Sequence, residues 1–238
     1  MDFYDVLRGR NSTRDFSNKP VEDALLNEIL EDALRAPSSS NTQGYRVAIA
    51  KGALKDQIAK DLTKKFDGAI KLQGLSTPRK IVQGVLSGAL PNGDFKPDIN
   101  YPSEMKKRAI ACGKGLYELI GIERSDRAGR DQWMRKNFEF FNAPVELFLF
   151  VHGDRGVYSA LDAGLFLQNL MLAAKAKGLG TCAQASVAMW GGTVRKHFKI
   201  EKDYKLICGL CIGYPSDAVI NTYQPVKRSV EELCFQPK

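Results

Sequence analysis

Arg10-Asn11-Ser12-Thr13-Arg14 sets two guanidinium groups and a hydroxyl within five positions, beside a short amphipathic opening segment. Arginine presents a planar fork of donors that grips phosphate oxygens in pairs, so this spacing is that of an anion grip. Basic residues near a terminus are also commonly solvated, and these residues alone leave both readings open. A second basic pair, Lys227-Arg228, lies in the loop that starts at Asn221, so that three or four cations can converge on one phosphate. The remaining basic residues crowd into Lys106-Lys107-Arg108 and then Arg124, Arg127, Arg130, Arg135 and Lys136. Their spacing of three puts Arg124, Arg127 and Arg130 near one helical face, which reads as solvated.

Other chemistries fail on context. Gly178-Leu179-Gly180-Thr181-Cys182-Ala183 matches the dinucleotide-binding glycine pattern, but that pattern needs a strand before it and a helix after it, whereas here a long helix comes first. Cys208-Gly209-Leu210-Cys211 lies within an apolar strand, where residues three apart point to opposite faces, so it reads as two core thiols. With His152 and His197 the only histidines, no metal site is expected. Neither a nucleophile elbow nor a phosphate-binding P-loop occurs.

The elements that must position these residues follow from periodicity. Leu25, Leu26, Ile29, Leu30, Ala33 and Leu34 predict a helix over 21–36, started by Pro20 and stopped by Pro37. A polar loop over 37–44 leads into a strand over 45–50. A weaker helix is expected over 53–66, then a Gly/Pro-punctuated region that reads as an insertion or lid around 67–122. Helical character returns over 104–120 and 127–141, and strands are expected at 145–151 and 205–213. The helix over 159–177, apolar on nearly every face and ended by Gly178, reads as buried, with a short extended piece over 181–186 and a helical turn over 194–198 after it. Long helices between strands favour a layered α/β or α+β arrangement over a barrel or sandwich.

The 238 residues, 44% hydrophobic with a net charge of +8, are those of one large globular domain. That charge attracts polyanions, yet no basic–aromatic interleaving or reading module supports a nucleic-acid partner. No run looks long enough to span a bilayer, and five dispersed cysteines fit a reducing compartment, so a soluble cytoplasmic protein without a membrane partner is expected.

Five pieces in order resemble the FMN-dependent nitroreductase family: Arg10-x-Ser12-x-Arg14-x-Phe16, Ala36-Pro37-Ser38-Ser39-x-Asn41-x-Gln43, Asn142-Ala143-Pro144 before a strand, the 178–185 stretch, and Gly213-Tyr214-Pro215 leading to Asn221 and Lys227-Arg228. The resemblance implies an α+β fold, a three-layer α/β/α sandwich whose mixed, mainly antiparallel sheet is flanked by helices. It implies a homodimer with FMN in a cleft between subunits. Arg10, Ser12 and Arg14, joined by Lys227 or Arg228, would hold the phosphate and the polar side of the flavin. Pro37, Ser38, Ser39 and Asn41 would reach the flavin from the partner, and Ala183, Gln184, Ala185 and Ser186 would pack along the ring, with the Ala185 N–H directed at N5. Many relatives have proline at the position of Ala183, and a Pro-Trp pair where this chain has Gly44-Tyr45, so the pocket's shape near the ring is not carried over. The implied activity is ping-pong reduction of nitroaromatics or quinones, with NADPH or NADH as reductant and a small-molecule electron acceptor as second substrate. The alternative is a flavin protein of the same fold that dehalogenates or breaks down flavin. A fixed cation near N1 and the C2 carbonyl stabilises reduced flavin, so no catalytic side chain is required.

Overall fold

Side chains alternate across a strand, and in the two central strands both sets are apolar, so the sheet has to be covered on both faces. The computed structural model describes residues 2–96, 100–235 and 237. Within them the chain runs α1 (Phe3–Gly9), α2 (Asp23–Ala33), β1 (Tyr45–Lys51), α3 (Gly52–Lys71), α4 (Thr77–Ser87), α5 (Ser103–Leu119) and α6 (Arg127–Arg135). It continues β2 (Val145–His152), α7 (Val157–Ala176), β3 (Gly180–Gln184), α8 (Gly191–Arg195), β4 (Tyr204–Gly213) and α9 (Val230–Leu233).

The strands pair antiparallel in the order β1-β2-β4-β3. Leu147, Leu149 and Val151 of β2 face one core, packed by α2 and α7 through Leu26, Ile29, Ala33, Phe166 and Leu170. Phe148 and Phe150 face the other, with Ile58 and Leu62 of α3 and Trp133 of α6. This is the expected α/β/α sandwich. Among the named strands no pairing is parallel; the one parallel contact is a single bridge between Ser12 and Thr181. Cys208 and Cys211 fall in opposite cores, as strand alternation requires, and neither forms a disulfide.

Several boundaries differ from expectation for physical reasons. The helix expected over 127–141 ends at Arg135, because Phe138, Phe140 and Phe141 are all buried, and residues two apart on a helix cannot share a face. Phe140, Phe141 and Asn142 instead take left-handed φ values of 55°, 50° and 65°. The 67–122 region is largely helical, holding the end of α3, α4 and α5, while residues 97–99 of it lie outside those described. Contrary to the expectation that no run could span a bilayer, α7 is long and apolar enough by length and composition, with a mean hydropathy of 1.2. It nonetheless buries Asp162, Phe166 and Leu170 against the sheet and α2, which is how a core helix behaves.

Glu146 of β2 interrupts the pattern. It is fully buried, neither carboxyl oxygen has a hydrogen-bond partner among the described residues, and only the missing Cβ of Gly209 leaves room for Oε1. Burial pushes its pKa well above the ordinary 4.5, so the folded state holds a proton that the unfolded chain releases. Stability should therefore fall as pH rises above 4.5, by at most about 1.4 kcal/mol per pH unit, until the folded-state pKa is passed. Glu146→Gln should flatten that slope in chemical denaturation measured from pH 4.5 to 8, and a slope unchanged by the substitution would show that Glu146 is ionised in the fold.

Candidate functional site

Residues 10–17 have no regular structure, yet they are held against the open side of the sheet. β3 is an edge strand, and an edge presents unpaired backbone groups. Thr13 N–H donates to the Thr181 carbonyl at 2.9 Å and Ser17 N–H to the Tyr214 carbonyl at 2.9 Å, with a further bridge between Phe16 and Pro215. Thr13 is buried, and its side chain sits where a Cβ on Gly180 would be, 2.2 Å from Thr13 Oγ1. Gly180, which sequence pattern offers as a dinucleotide glycine, is thus a seat for Thr13.

Asn221 completes the attachment. Its Oδ1 accepts from Arg14 N–H at 2.8 Å, its Nδ2 donates to the carbonyls of Asp15 at 2.8 Å and Ser216 at 3.0 Å, and its own carbonyl accepts from Asn11 Nδ2. This side chain clamps the N-terminal segment to the loop after β4.

Between the clamped segments lies a cavity of about 340 Å³ lined by Arg8, Arg10, Asn11, Ser12, Arg14, Tyr223, Gln224 and Lys227. Among the described residues four cations line it and no carboxylate does. Arg10, Arg14 and Lys227 make no ion pair among the described residues; Arg14 Nη1 reaches only the Ser12 carbonyl, at 3.4 Å. Sequence leaves Lys227 and Arg228 as alternatives, and the geometry separates them. Lys227 lines the cavity, whereas Arg228 pairs with Glu104 of α5 at 2.6 Å. Tyr223 is fixed by its hydroxyl, which donates to the Cys112 carbonyl of α5 at 2.7 Å.

Thr181 beside Ser12 begins an edge that runs on to Ala185, about 13 Å away at the usual rise of a strand. Ala183 and Ala185 are exposed along it, and Ser186 is half-buried. Gln184 points the other way: its Nε2 donates to the Asn137 carbonyl at 2.6 Å, and its Oε1 accepts from the Cys211 thiol at 2.9 Å. Its side chain is committed to the core, so only its backbone faces the edge. Arg14 also borders a second cavity, of about 520 Å³, whose walls include Ile122, Gln132, Trp133, Lys136 and Ile220.

Pro37, Ser38, Ser39 and Asn41 are not brought to this place within one chain. Ser39 N–H donates to Asp162 near the start of α7, while Gly9, at the end of the helix preceding Arg10, lies against Lys175 near the end of α7. Those two positions are separated by about 20 Å of helix. Nothing in the sequence marks Thr13, Tyr223, Trp133 or Lys136 as site residues. The role of Asn221 is visible only when its partners from two ends of the chain are seen together.

Burial raises Cys182 to about 11 and Cys208 to about 12, and pushes Cys211 well above its ordinary value, so these thiols are poor nucleophiles. Among the described residues no group of His, Cys, Asp and Glu has the makings of a metal site.

A model of the Nitroreductase family matches residues 7–214. The chain belongs to the nitroreductase family. It is 30% identical over 226 residues to a 4-nitrobenzoate reductase of Pseudomonas putida, covering 93% of this chain and 89% of that one. Among solved structures it resembles the FMN and NADPH-dependent nitroreductase NfnB of Sphigopyxis sp. strain HMH, with a TM-score of 0.85, 29% identity and full coverage of both chains. It also resembles the FMN-dependent NfnB of Mycobacterium smegmatis solved with NADPH, with a TM-score of 0.83, 25% identity and coverage of 99% and 97%. The family match spans four of the five sequence pieces that carried the resemblance, and reaches into the fifth.

Asn221→Ala removes three hydrogen bonds at about 1 kcal/mol each, and should lower unfolding free energy by about 2–3 kcal/mol in urea titration. Alkylation of the native protein at pH 8, followed by peptide mapping, should modify the exposed Cys234 first and the half-buried Cys112 more slowly, sparing Cys182, Cys208 and Cys211. Rapid labelling of Cys182 would contradict its buried placement.

Proposed function

We propose that this chain is a flavin oxidoreductase that holds FMN and uses NADPH or NADH to reduce nitroaromatic compounds. The observation that carries the proposal is the cavity with four cations and no carboxylate, built from both ends of a chain of this family. A phosphate monoester carries up to two negative charges, and paired guanidinium forks with a lysine match it in charge and geometry.

In this reading Arg10, Ser12 and Lys227 grip the phosphate, and Arg14, between the two cavities, lies toward the flavin ring. The backbone edge from Ala183 to Ser186 orients the ring, with the Ala185 N–H as donor toward N5. FMN, when bound, supplies the two-electron chemistry that links a reduced nicotinamide to a nitro group, or to a quinone, in a ping-pong order. The relatives' names supply the substrate class: 4-nitrobenzoate for one, and FMN with NADPH for two others. Trp133, Ile122 and Ile220 give the second cavity an apolar wall for the ring, and Arg14 stabilises negative charge without reorganising.

The working unit we propose is a homodimer in the cytoplasm. Two features support it. The loop of Ser38, Ser39 and Asn41 stands at the far end of α7 from the cation cavity, which supports a second copy as the source of the loop if it meets the flavin. In addition, Val157, Tyr158 and Leu161 of α7, Phe3 and Tyr4 of α1, and Val82, Val85 and Leu86 of α4 are exposed apolar side chains of the single chain.

Reconstitution with FMN followed by anaerobic stopped-flow mixing with NADPH, NADH and then 4-nitrobenzoate tests this. Bleaching of the flavin by a nicotinamide and its return on adding the nitro compound is the expected outcome; a preparation that stays colourless after incubation with FMN overturns it. Arg14→Ala and Lys227→Ala should each weaken FMN affinity roughly ten- to hundredfold, since each removes a charge-assisted contact. Arg228→Ala should cost less than Lys227→Ala, and Arg127→Ala, whose side chain contacts Gln73 and Asp131, should leave affinity unchanged.

A further inference from the structure

Asp162 is an acid on the buried face of α7 and is 3% exposed; besides Ser159, whose hydroxyl donates to the His152 carbonyl, its buried neighbours along that face are Ala163, Phe166 and Leu170. A carboxylate in such a place is costly unless it holds something. Its Oδ1 accepts from Ser39 N–H at 3.1 Å, and its Oδ2 has no hydrogen-bond partner among the described residues. The Tyr45 hydroxyl is also buried and without a partner, and the charge of Asp162, after burial itself, helps to raise the Tyr45 pKa.

What Asp162 holds is a strained loop. Ser40, Asn41 and Gln43 take φ values of 50°, 54° and 46°, a left-handed conformation that L side chains avoid. Two backbone bonds close within the loop itself, Asn41 N–H to the Ser38 carbonyl at 2.9 Å and Thr42 N–H to the Ser39 carbonyl at 3.1 Å, and the other side-chain ties are exposed: Gln43 N–H to Ser38 Oγ at 3.0 Å, Gln43 Nε2 to Asn41, and Arg155 to the Thr42 hydroxyl. Water competes with the exposed ties more freely than with the part-buried bond to Asp162, whose carboxylate is itself buried.

We infer that Asp162 is a positioning residue for cofactor binding, acting through the Ser39 N–H to hold Ser38, Ser39 and Asn41 in the shape they present to a second copy of the chain. The inference rests on the reading that this loop meets FMN bound by that second copy. Loss of the acceptor frees the loop to relax from its left-handed run, so the cofactor contact has to be rebuilt on each binding event.

The test compares five proteins by FMN affinity and by amide hydrogen exchange: wild type, Asp162→Ala, Asp162→Asn, Ser39→Pro and the Asp162→Ala, Ser39→Pro double variant. Ser38 has φ −142° and ψ 157°, a conformation compatible with a following proline, so Ser39→Pro removes the N–H donor together with the Ser39 hydroxyl. Asp162→Ala should weaken FMN binding about tenfold or more and speed exchange at the Asn41 and Thr42 amides. Asp162→Asn, which keeps an acceptor oxygen, should restore affinity to within about threefold of wild type. Combining Asp162→Ala with Ser39→Pro should be no worse than the poorer single variant, since both remove one interaction. Asp162→Ala with wild-type affinity, Asp162→Asn as poor as Asp162→Ala, or additive effects in the double variant would each overturn the inference. A wild-type protein that does not bind FMN would instead sink the underlying reading.

Discussion

The hydrogen bond from Thr13 N–H to the Thr181 carbonyl, seated on Gly180, is the constraint on which the site depends. It ties an irregular, cation-rich segment to the edge of a sheet whose position is set by two hydrophobic cores. Residues 10–14 then need no secondary structure of their own, because β3 and the Asn221 clamp supply the backbone partners that a helix or strand would otherwise provide. The strong burial of β2 and β4 gives that edge its rigidity, and rigidity is what allows several like charges to be held around one small cavity without dispersing into solvent.

Like charges held together are unstable unless an anion joins them. Arg10, Arg14 and Lys227 have no carboxylate partner among the described residues, while nearby cations with no place in the cavity, such as Arg228 and Arg108, are paired with Glu104 and Glu232. The chain thus pairs its cations outside the cavity and leaves those that line it open to an anion. The thiols behind the same wall follow the opposite logic. Cys182 and Cys211 face each other across β3 and β4, and burial raises the pKa of both, so neither is poised as a nucleophile.

Helix α7 joins these parts. One end packs on the helix that precedes Arg10, and the other carries Asp162 and with it the loop of Ser38 to Gln43. A rigid rod of this length keeps its two ends apart, so within one chain the loop of Ser38 to Gln43 and the cation cavity do not meet.

Much of this was legible in the sequence. The apolar stripe of Leu25 to Leu34, the run Val145 to Val151 and the stop at Gly178 located α2, β2 and the end of α7, because local periodicity reflects which face is buried. The placement of Cys208 and Cys211 in opposite cores followed from strand alternation alone. The break at Arg135 was not legible, since three buried aromatics from one short stretch select a non-helical path only when the cores they enter are known. Nor could sequence distinguish Lys227 from Arg228, or show that Gln184 turns inward: adjacent residues share composition and differ only in what lies across from them. Arg10-Asn11-Ser12-Thr13-Arg14 therefore carried the kind of chemistry, an anion grip, in its residue types. Tertiary structure alone decided which cation from the far end of the chain joins it, because convergence is a property of distances that no spacing along the chain encodes.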